Sequence, residues 1–306
     1  MTDIFPTAAY EPSYISAPLM FLGEQAIYAP EPCETWSVRN SDAAWADALV
    51  ARLAPHEKSI ISLAYKSGGP AIAHRLSPSE ALPAGDSSRS GARHYVRRFP
   101  DEQTYADRVR HAVEQIGRGE FEKVVLGRCL DVVSDPPLAP ETVLARLLEK
   151  RPGRYVFSVP LGPDAGAPVL VGASPELLVR RSGDMVSSFP LAGSIPRVAD
   201  PEEDRRQAES LRSSSKDLAE HAFVVRSIVE ALTPFCDLVE APSQPLVVST
   251  DTLWHLGTPI SARLKADTER PSALRLAQLL HPTPAVGGTN DAALALVDQL
   301  EGAMRG

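Results

Sequence analysis

Apolar and polar positions change their spacing several times along the chain, and each change predicts an element. Ala44, Trp45, Ala48 and Leu49 recur at helical spacing, so a helix is expected over about Ser41–Leu53, and Ser59–Tyr65 reads as a strand after it. The prolines, glycine and serines of Ser77–Ala92 predict a loop or hinge. From Asp101 the pattern sharpens. Tyr105, Val109, Ala112, Val113 and Ile116 fall on one face of a helix that stops near Gly117–Gly119. Phe121–Val133 is rich in β-branched residues and predicts a strand. Its alternation sets Lys123, Val125, Gly127 and Cys129 on one face and Val124, Leu126, Arg128 and Leu130 on the other. Glu141–Lys150 is a second helix. Tyr155–Pro160, Val169–Gly172, Leu177–Arg180 and Met185–Phe189 are short strands, the last two joined by a hairpin turn at Arg181–Asp184. Pro201–Leu232 is the longest helical stretch, opened by Asp200 as N-cap, with Leu218, Ala222, Val225 and Val229 as its core stripe. Leu246–Ser249 and Trp254–Leu264 return to strands, and Ser272–Leu280 and Asp291–Glu301 to helices. Hairpin-joined strands followed by runs of helices predict an α+β fold with a largely antiparallel sheet.

Composition narrows the function classes. Hydrophobic residues make up 43% and charged residues 23% of the 306, the balance of a globular protein with a substantial core. A net charge of −8 argues against a general nucleic-acid or anionic-membrane binder. Cys33, Cys129 and Cys236 are far apart and odd in number, so they read as reduced thiols and not as a disulfide framework. Met1–Pro6 shows no basic region followed by an apolar run, and no apolar stretch is long enough to span a bilayer. A cytoplasmic monomer is the expectation.

Several residues carry candidate chemistry, each with a plain structural alternative. Lys123 is either a solvated edge-strand lysine or, if its face lines a pocket, a base whose pKa desolvation lowers. Glu176, after Pro175 at a turn between strands, is a surface turn residue or a carboxyl kept protonated beside an apolar pocket. Gly193 and Ser194 form a tight corner or an approach for an anionic group to backbone N–H groups. Arg197 ranks below them as a loop-stabilising residue. Glu220 either pairs with Lys216 on one helical face or offers a hard oxygen to a divalent cation. His255 reads as a satisfied structural histidine or a pocket residue, and Ala285 marks only that space is available.

Taken in order, Phe121–Leu126, Gly172–Leu178, Pro190–Ser194, Lys216–His221, Leu253–Leu256 and Leu280–Val286 resemble the chorismate-utilising enzymes, and among them the isochorismate synthases, roughly from Asp101 to the last residue. The resemblance implies two packed, largely antiparallel sheets flanked by outer helices, with residues 1–95 a variable amino-terminal portion and 96–306 the chorismate-binding core. It implies that Lys123 activates water, that Glu176 is the general acid, that Gly193, Ser194, His255 and Ala285 bind substrate, and that Glu220 holds Mg²⁺. Alanine at 285, where salicylate-forming relatives tend to carry threonine, leans toward release of isochorismate, which feeds siderophore, salicylate or menaquinone synthesis. Gly127 departs from the serine common there. The family pattern also continues past Glu301 with strands, an arginine and a helix bearing a second magnesium glutamate. None of these has a counterpart before Gly306, so the chain is expected to be incomplete at its carboxyl end. The alternatives are a salicylate synthase or other chorismate-utilising enzyme, and a truncated, non-catalytic remnant.

Overall fold

The computed structural model describes residues 19–22, 26–29, 32–76, 93–149, 155–164, 166–266 and 270–302, and the hinge expected at Ser77–Ala92 lies outside them. Strands β1 (Leu19–Leu22), β2 (Ala26–Ala29) and β3 (Pro32–Val38) precede helix α1 (Ala43–Arg52), followed by β4 (Lys58–Leu63) and β5 (Ala71–Leu76). The pattern predicts only α1 and β4 of these, because four-residue apolar runs such as β1 and β2 carry no readable period. Next come β6 (Arg93–Phe99), α2 (Glu102–Gly117), β7 (Cys129–Asp135) and α3 (Pro140–Glu149). Five strands follow: β8 (Tyr155–Pro160), β9 (Val169–Ser174), β10 (Leu177–Ser182), β11 (Met185–Phe189) and β12 (Leu191–Pro196). Helices α4 (Pro201–Ser213) and α5 (Ser215–Leu232) lead to β13 (Cys236–Glu240), β14 (Leu246–Ser249), β15 (Leu253–Gly257) and β16 (Ile260–Leu264). Helices α6 (Ala273–Leu280) and α7 (Asp291–Glu301) come last.

Side-chain caps fix where the helices start. Asp101 accepts the Thr104 N–H at 3.0 Å, Asp200 the Glu203 N–H at 2.9 Å and Asn290 the Ala293 N–H at 3.0 Å. The helical stretch expected over Pro201–Leu232 is two helices. Ser214 has extended backbone (ψ 109°) and caps α5 by accepting the Asp217 N–H at 3.2 Å. The buried stripe of α5 is His221, Val224, Ile228 and Leu232, not the expected one. Of the expected stripe, Val225 and Val229 pack partly buried against the main core, and together with Leu218 and Ala222 they line a cavity of about 420 Å³ beside residues 241–245. Val113 on α2 is exposed, while Ala112 is buried, and on α1 the buried residues are Ala46 and Leu49. On α5 the helical period is right and the buried face is rotated by one residue, while on α1 and α2 the expected Leu49 and Ala112 are buried as read.

Every strand pairing among the described residues is antiparallel, in the orders β2-β1-β8-β9, β10-β11-β16-β13, β12-β15-β14, β3-β5-β4 and β6-β7. The largest buried cluster joins α5 and α6 to β11, β12 and β16 through Val224, Ile228, Leu232, Val186, Ile260, Ala262 and Leu276. Truncating Ile228 or Leu276 there to alanine costs about 2–5 kcal/mol. Ala46 and Leu49 of α1 pack with Ala73 and Leu274, so α1 and β5 share a cluster with α6.

The strand expected over Phe121–Val133 begins only at Cys129. Residues 121–128 hydrogen-bond elsewhere: the Val125 N–H donates to the Gly287 carbonyl at 2.8 Å, the Thr289 N–H donates to the Lys123 carbonyl at 3.2 Å, and the Gly127 N–H donates to the buried Glu301 carboxylate. The expected alternation survives locally, since Val124 and Leu126 pack against Phe121, Ala112, Ala293 and Leu296 while Lys123 points away toward α5. The β6–β7 ribbon is apolar and exposed on both faces, with Tyr95, Phe99 and Val133 on one and Val96, Leu130 and Val132 on the other.

Candidate active site

Lys123 is held from three sides. Its backbone N–H faces the Thr289 hydroxyl at 3.3 Å, its carbonyl accepts the Thr289 N–H, and its ammonium donates to the Pro284 carbonyl. The same ammonium lies 3.8 Å from Glu220 on α5. Its side chain is only 12% exposed, so Lys123 is not a solvated edge lysine. Burial pushes its pKa below the usual lysine range. Glu220 opposes that shift, and Lys216 adds to it.

Glu176 lies between β9 and β10, as its position after Pro175 suggests. Burial pushes its pKa above the ordinary carboxyl range, opposed by the Leu191 N–H at 3.5 Å. A buried amine shifted down and a buried carboxyl shifted up are displaced in the directions that a base and an acid working near neutrality require.

Leu191 opens β12, which also carries Gly193 and Ser194. The corner expected there is a strand with a bulge between Ala192 and Ser194. Gly193 takes φ +77°, and a Cβ on it would lie 3.0 Å from the Asp217 Cβ in the first turn of α5. The bulge thus brings β12 against the end of α5 that carries Glu220 one turn later. Ser194 Oγ and His255 Nδ1 are 2.7 Å apart, across the β12–β15 pair. This bond fixes the buried His255 ring, as its structural reading expects. Ala285 packs against the main core cluster, beside the Pro284 carbonyl that receives Lys123.

The structure joins four of the seven candidate residues in two direct contacts and brings Gly193 and Glu176 to the same strand through Asp217 and Leu191. Lys123 contacts Glu220, α5 packs on Gly193, Ser194 meets His255, and Glu176 reaches the first residue of the same strand. Arg197 has the supporting role expected of it. It donates to Asp204, whose carboxylate also accepts the Trp254 indole N–H at 2.9 Å and the Val198 N–H at 3.2 Å. Sequence reasoning missed Asp204, although an acid in the first turn of a helix just after an arginine is a readable signal. It also assigned no role to His221, the residue after Glu220 on α5, which is buried with Nε2 2.7 Å from the Thr258 hydroxyl.

Glu220 fits the part of one hard-oxygen ligand for a magnesium ion: its side chain is 30% exposed and faces the same space as Lys123. Among the described residues no group of three or more metal-ligating side chains occurs, so substrate oxygens and water would complete such a site. Glu220 also lies 3.9 Å from Lys216, the i,i+4 pairing its sequence position allows.

A chorismate binding enzyme family model matches residues 71–306. The chain belongs to that family. The match starts ahead of Asp101 and takes in β5 and β6. Within this chorismate-binding family, the chain is 41% identical over 206 residues to isochorismate synthase DhbC of Bacillus subtilis, covering 66% of this chain and 51% of the relative. It is 40% identical over 217 residues to isochorismate synthase EntC of Escherichia coli, covering 70% of this chain and 54% of the relative. The crystal structure of DhbC from Bacillus anthracis superposes with a TM-score of 0.82 at 32% identity, over 94% of this chain and 78% of the other. Anthranilate synthase component I from Streptococcus pneumoniae shares the fold, with a TM-score of 0.70 at 16% identity. The chain spans about half the length of the curated relatives it matches. No described helix is long and apolar enough to cross a membrane.

Proposed function

We propose that the protein isomerises chorismate to isochorismate. The neutral amine of Lys123 takes a proton from water as its oxygen bonds to ring carbon C2. Both ring double bonds shift, C1=C2 to C1=C6 and C5=C6 to C4=C5, the C4–oxygen bond breaks, and Glu176 gives its proton to the departing hydroxyl. One water enters and one leaves, so substrate and product are isomers. Ser194, His255 and the backbone at Gly193 orient the substrate's anionic groups, and Ala285 leaves room beside Lys123. Magnesium bound at Glu220 would neutralise a substrate carboxylate. The observation that carries this reading is the pair of opposed displacements, Lys123 down and Glu176 up, each caused first by burial. The similarity to isochorismate synthases at about 40% identity supports it.

The active form has Lys123 neutral and Glu176 protonated. While the lysine pKa stays above the carboxyl pKa, the fraction in that form is constant between the two values and falls outside them. Each pH unit by which the two approach raises it about tenfold, so burial acts directly on rate. The test is to incubate the protein with chorismate and Mg²⁺ and to separate the products. Isochorismate is expected. Salicylate with pyruvate, or anthranilate when ammonia is supplied, would overturn the assignment.

A second reading, a ligand-binding chain without turnover, is favoured by the pairing of Glu220 with two lysines, which satisfies the carboxylate without a metal. Mg²⁺-dependent turnover excludes it.

A further inference from the structure

We propose that the hydroxyl of Tyr65 is a positioning group for Lys123, acting through the loop of residues 282–289. The inference rests on the reading of Lys123 as the base, and it assigns a part in the chemistry to a region outside the motifs that suggested the function. Tyr65 opens the turn between β4 and β5. That turn is fixed at its base, because Ala64 N–H donates to the Pro70 carbonyl at 3.0 Å and Ser41 donates to the Gly69 carbonyl through both its N–H and its hydroxyl. The Tyr65 ring meets His281 edge-on, with centroids 5.7 Å apart and planes at 90°. Its hydroxyl donates to the Val286 carbonyl at 3.2 Å. A Cβ on Gly287 would come within 3.2 Å of the same hydroxyl, so glycine there permits the close approach.

From this point the loop leads to Lys123 by three short routes. Gly287 accepts the Val125 N–H, Thr289 brackets the Lys123 backbone, and Pro284 receives the ammonium. One rigid loop therefore sets both the backbone and the side-chain tip of Lys123, and Tyr65 grips that loop from β4–β5. Removing the hydroxyl leaves the fold and the Ser194–His255 wall untouched, yet lets the Pro284 carbonyl drift. Orientation of the amine suffers, and substrate affinity does not.

The test compares wild type with Tyr65→Phe and with Lys66→Ala, which cuts the neighbouring ion pair to Asp298 and serves as control. Two readouts are taken. The first is the rate at which trinitrobenzenesulfonate labels Lys123 at one pH, relative to Lys265, a remote lysine likewise held by a carbonyl. The second is the split between kcat and KM for chorismate. In Tyr65→Phe the labelling ratio should rise about fivefold and kcat should fall about fivefold with KM unchanged, the worth of one hydrogen bond. Lys66→Ala should move neither. An unchanged labelling ratio in Tyr65→Phe overturns the proposal whatever the turnover, as does a loss expressed only in KM. If wild type makes no isochorismate, the functional reading fails and the labelling ratio alone decides the role of Tyr65.

Discussion

Two arginine–aspartate pairs of almost the same geometry sit in opposite surroundings. On the β6–β7 ribbon, Arg97 donates to Asp131 through Nε at 3.2 Å and Nη2 at 2.6 Å. At the β12–β15 wall, Arg197 donates to Asp204 through Nε at 3.1 Å and Nη2 at 2.7 Å. Both partners of the first pair are 57% exposed, whereas Asp204 is 9% exposed. Asp204 also accepts from Trp254 and Val198, and the Arg197 guanidinium stacks 4.7 Å above the Trp254 ring. Distance alone does not distinguish the two pairs. Burial and the count of further partners do, since a surface pair is screened and dispensable while a buried carboxylate stripped of its partners is not. The wall holds Ser194 and His255, and its polar groups are tied together. The ribbon presents apolar side chains on both faces to solvent.

The sharpest way to separate these regions is to remove chemistry from one and surface from the other. Glu176→Gln, at the Leu191 end of the wall, should lower kcat by about 10²–10⁴ with little change in KM if the residue is the proposed general acid, since a proton transfer made only in the transition state would be deleted. Val132→Thr on the ribbon should leave kcat within about twofold. Steady-state kinetics check both, and equal losses would break the comparison.

A smaller effect follows on stability. Asp204→Asn should lower Tm by roughly 4 °C, while Asp131→Asn should move it by less than about 1 °C. Calorimetry under one buffer condition decides. Similar shifts would mean that burial is not what separates the pairs.

The smallest effect is the pH dependence of that difference. The Arg197 guanidinium, first among its causes, holds the Asp204 pKa below the ordinary carboxylate value. The unfolded chain therefore takes up a proton before the folded one does as pH falls. The stability contributed by Asp204 is complete above about pH 5 and is lost as pH drops through its lowered folded value. Urea midpoints of wild type and Asp204→Asn should differ at pH 6 and converge toward pH 2. A gap that widened on acidification would reverse the sign and refute the linkage.

Most helices were legible because their apolar periods are long and their caps are written in the chain, as Asp101, Asp200 and Asn290 show. The break at Ser214 went unread because apolar and helix-forming residues resume on both sides of it, although the run Ser213–Ser215 with Asp217 three residues after Ser214 carries the marks of an N-cap. Strand β12 was missed because Pro190, Gly193 and Pro196 suggest a corner, and the pairing that overrides them comes from β15, some sixty residues away. Residues 121–128 failed as a strand for a related reason. Their β-branched composition is genuine, yet their partners are a loop and Glu301, not a neighbouring strand. At the site, resemblance placed Lys123, Glu176 and Glu220 by residue type and order. No pattern in the sequence announces Pro284 or Tyr65, because a backbone carbonyl has no residue signature and a tyrosine hydroxyl finds its acceptor only once the chain has folded.

The bulge at Gly193 has one further consequence. Ala192 stands opposite Leu256 and Ser194 opposite His255, neighbours on β15 that point to opposite sides. Ala192 and Ser194, two apart, would share a side in an unbroken strand, and here they do not. Gly193 is an inserted letter in a text read two characters at a time. Flattening the bulge with Gly193 still present would turn every later side chain of the strand to the wrong side, whereas deleting the residue would keep their facing and lose only the close approach to Asp217.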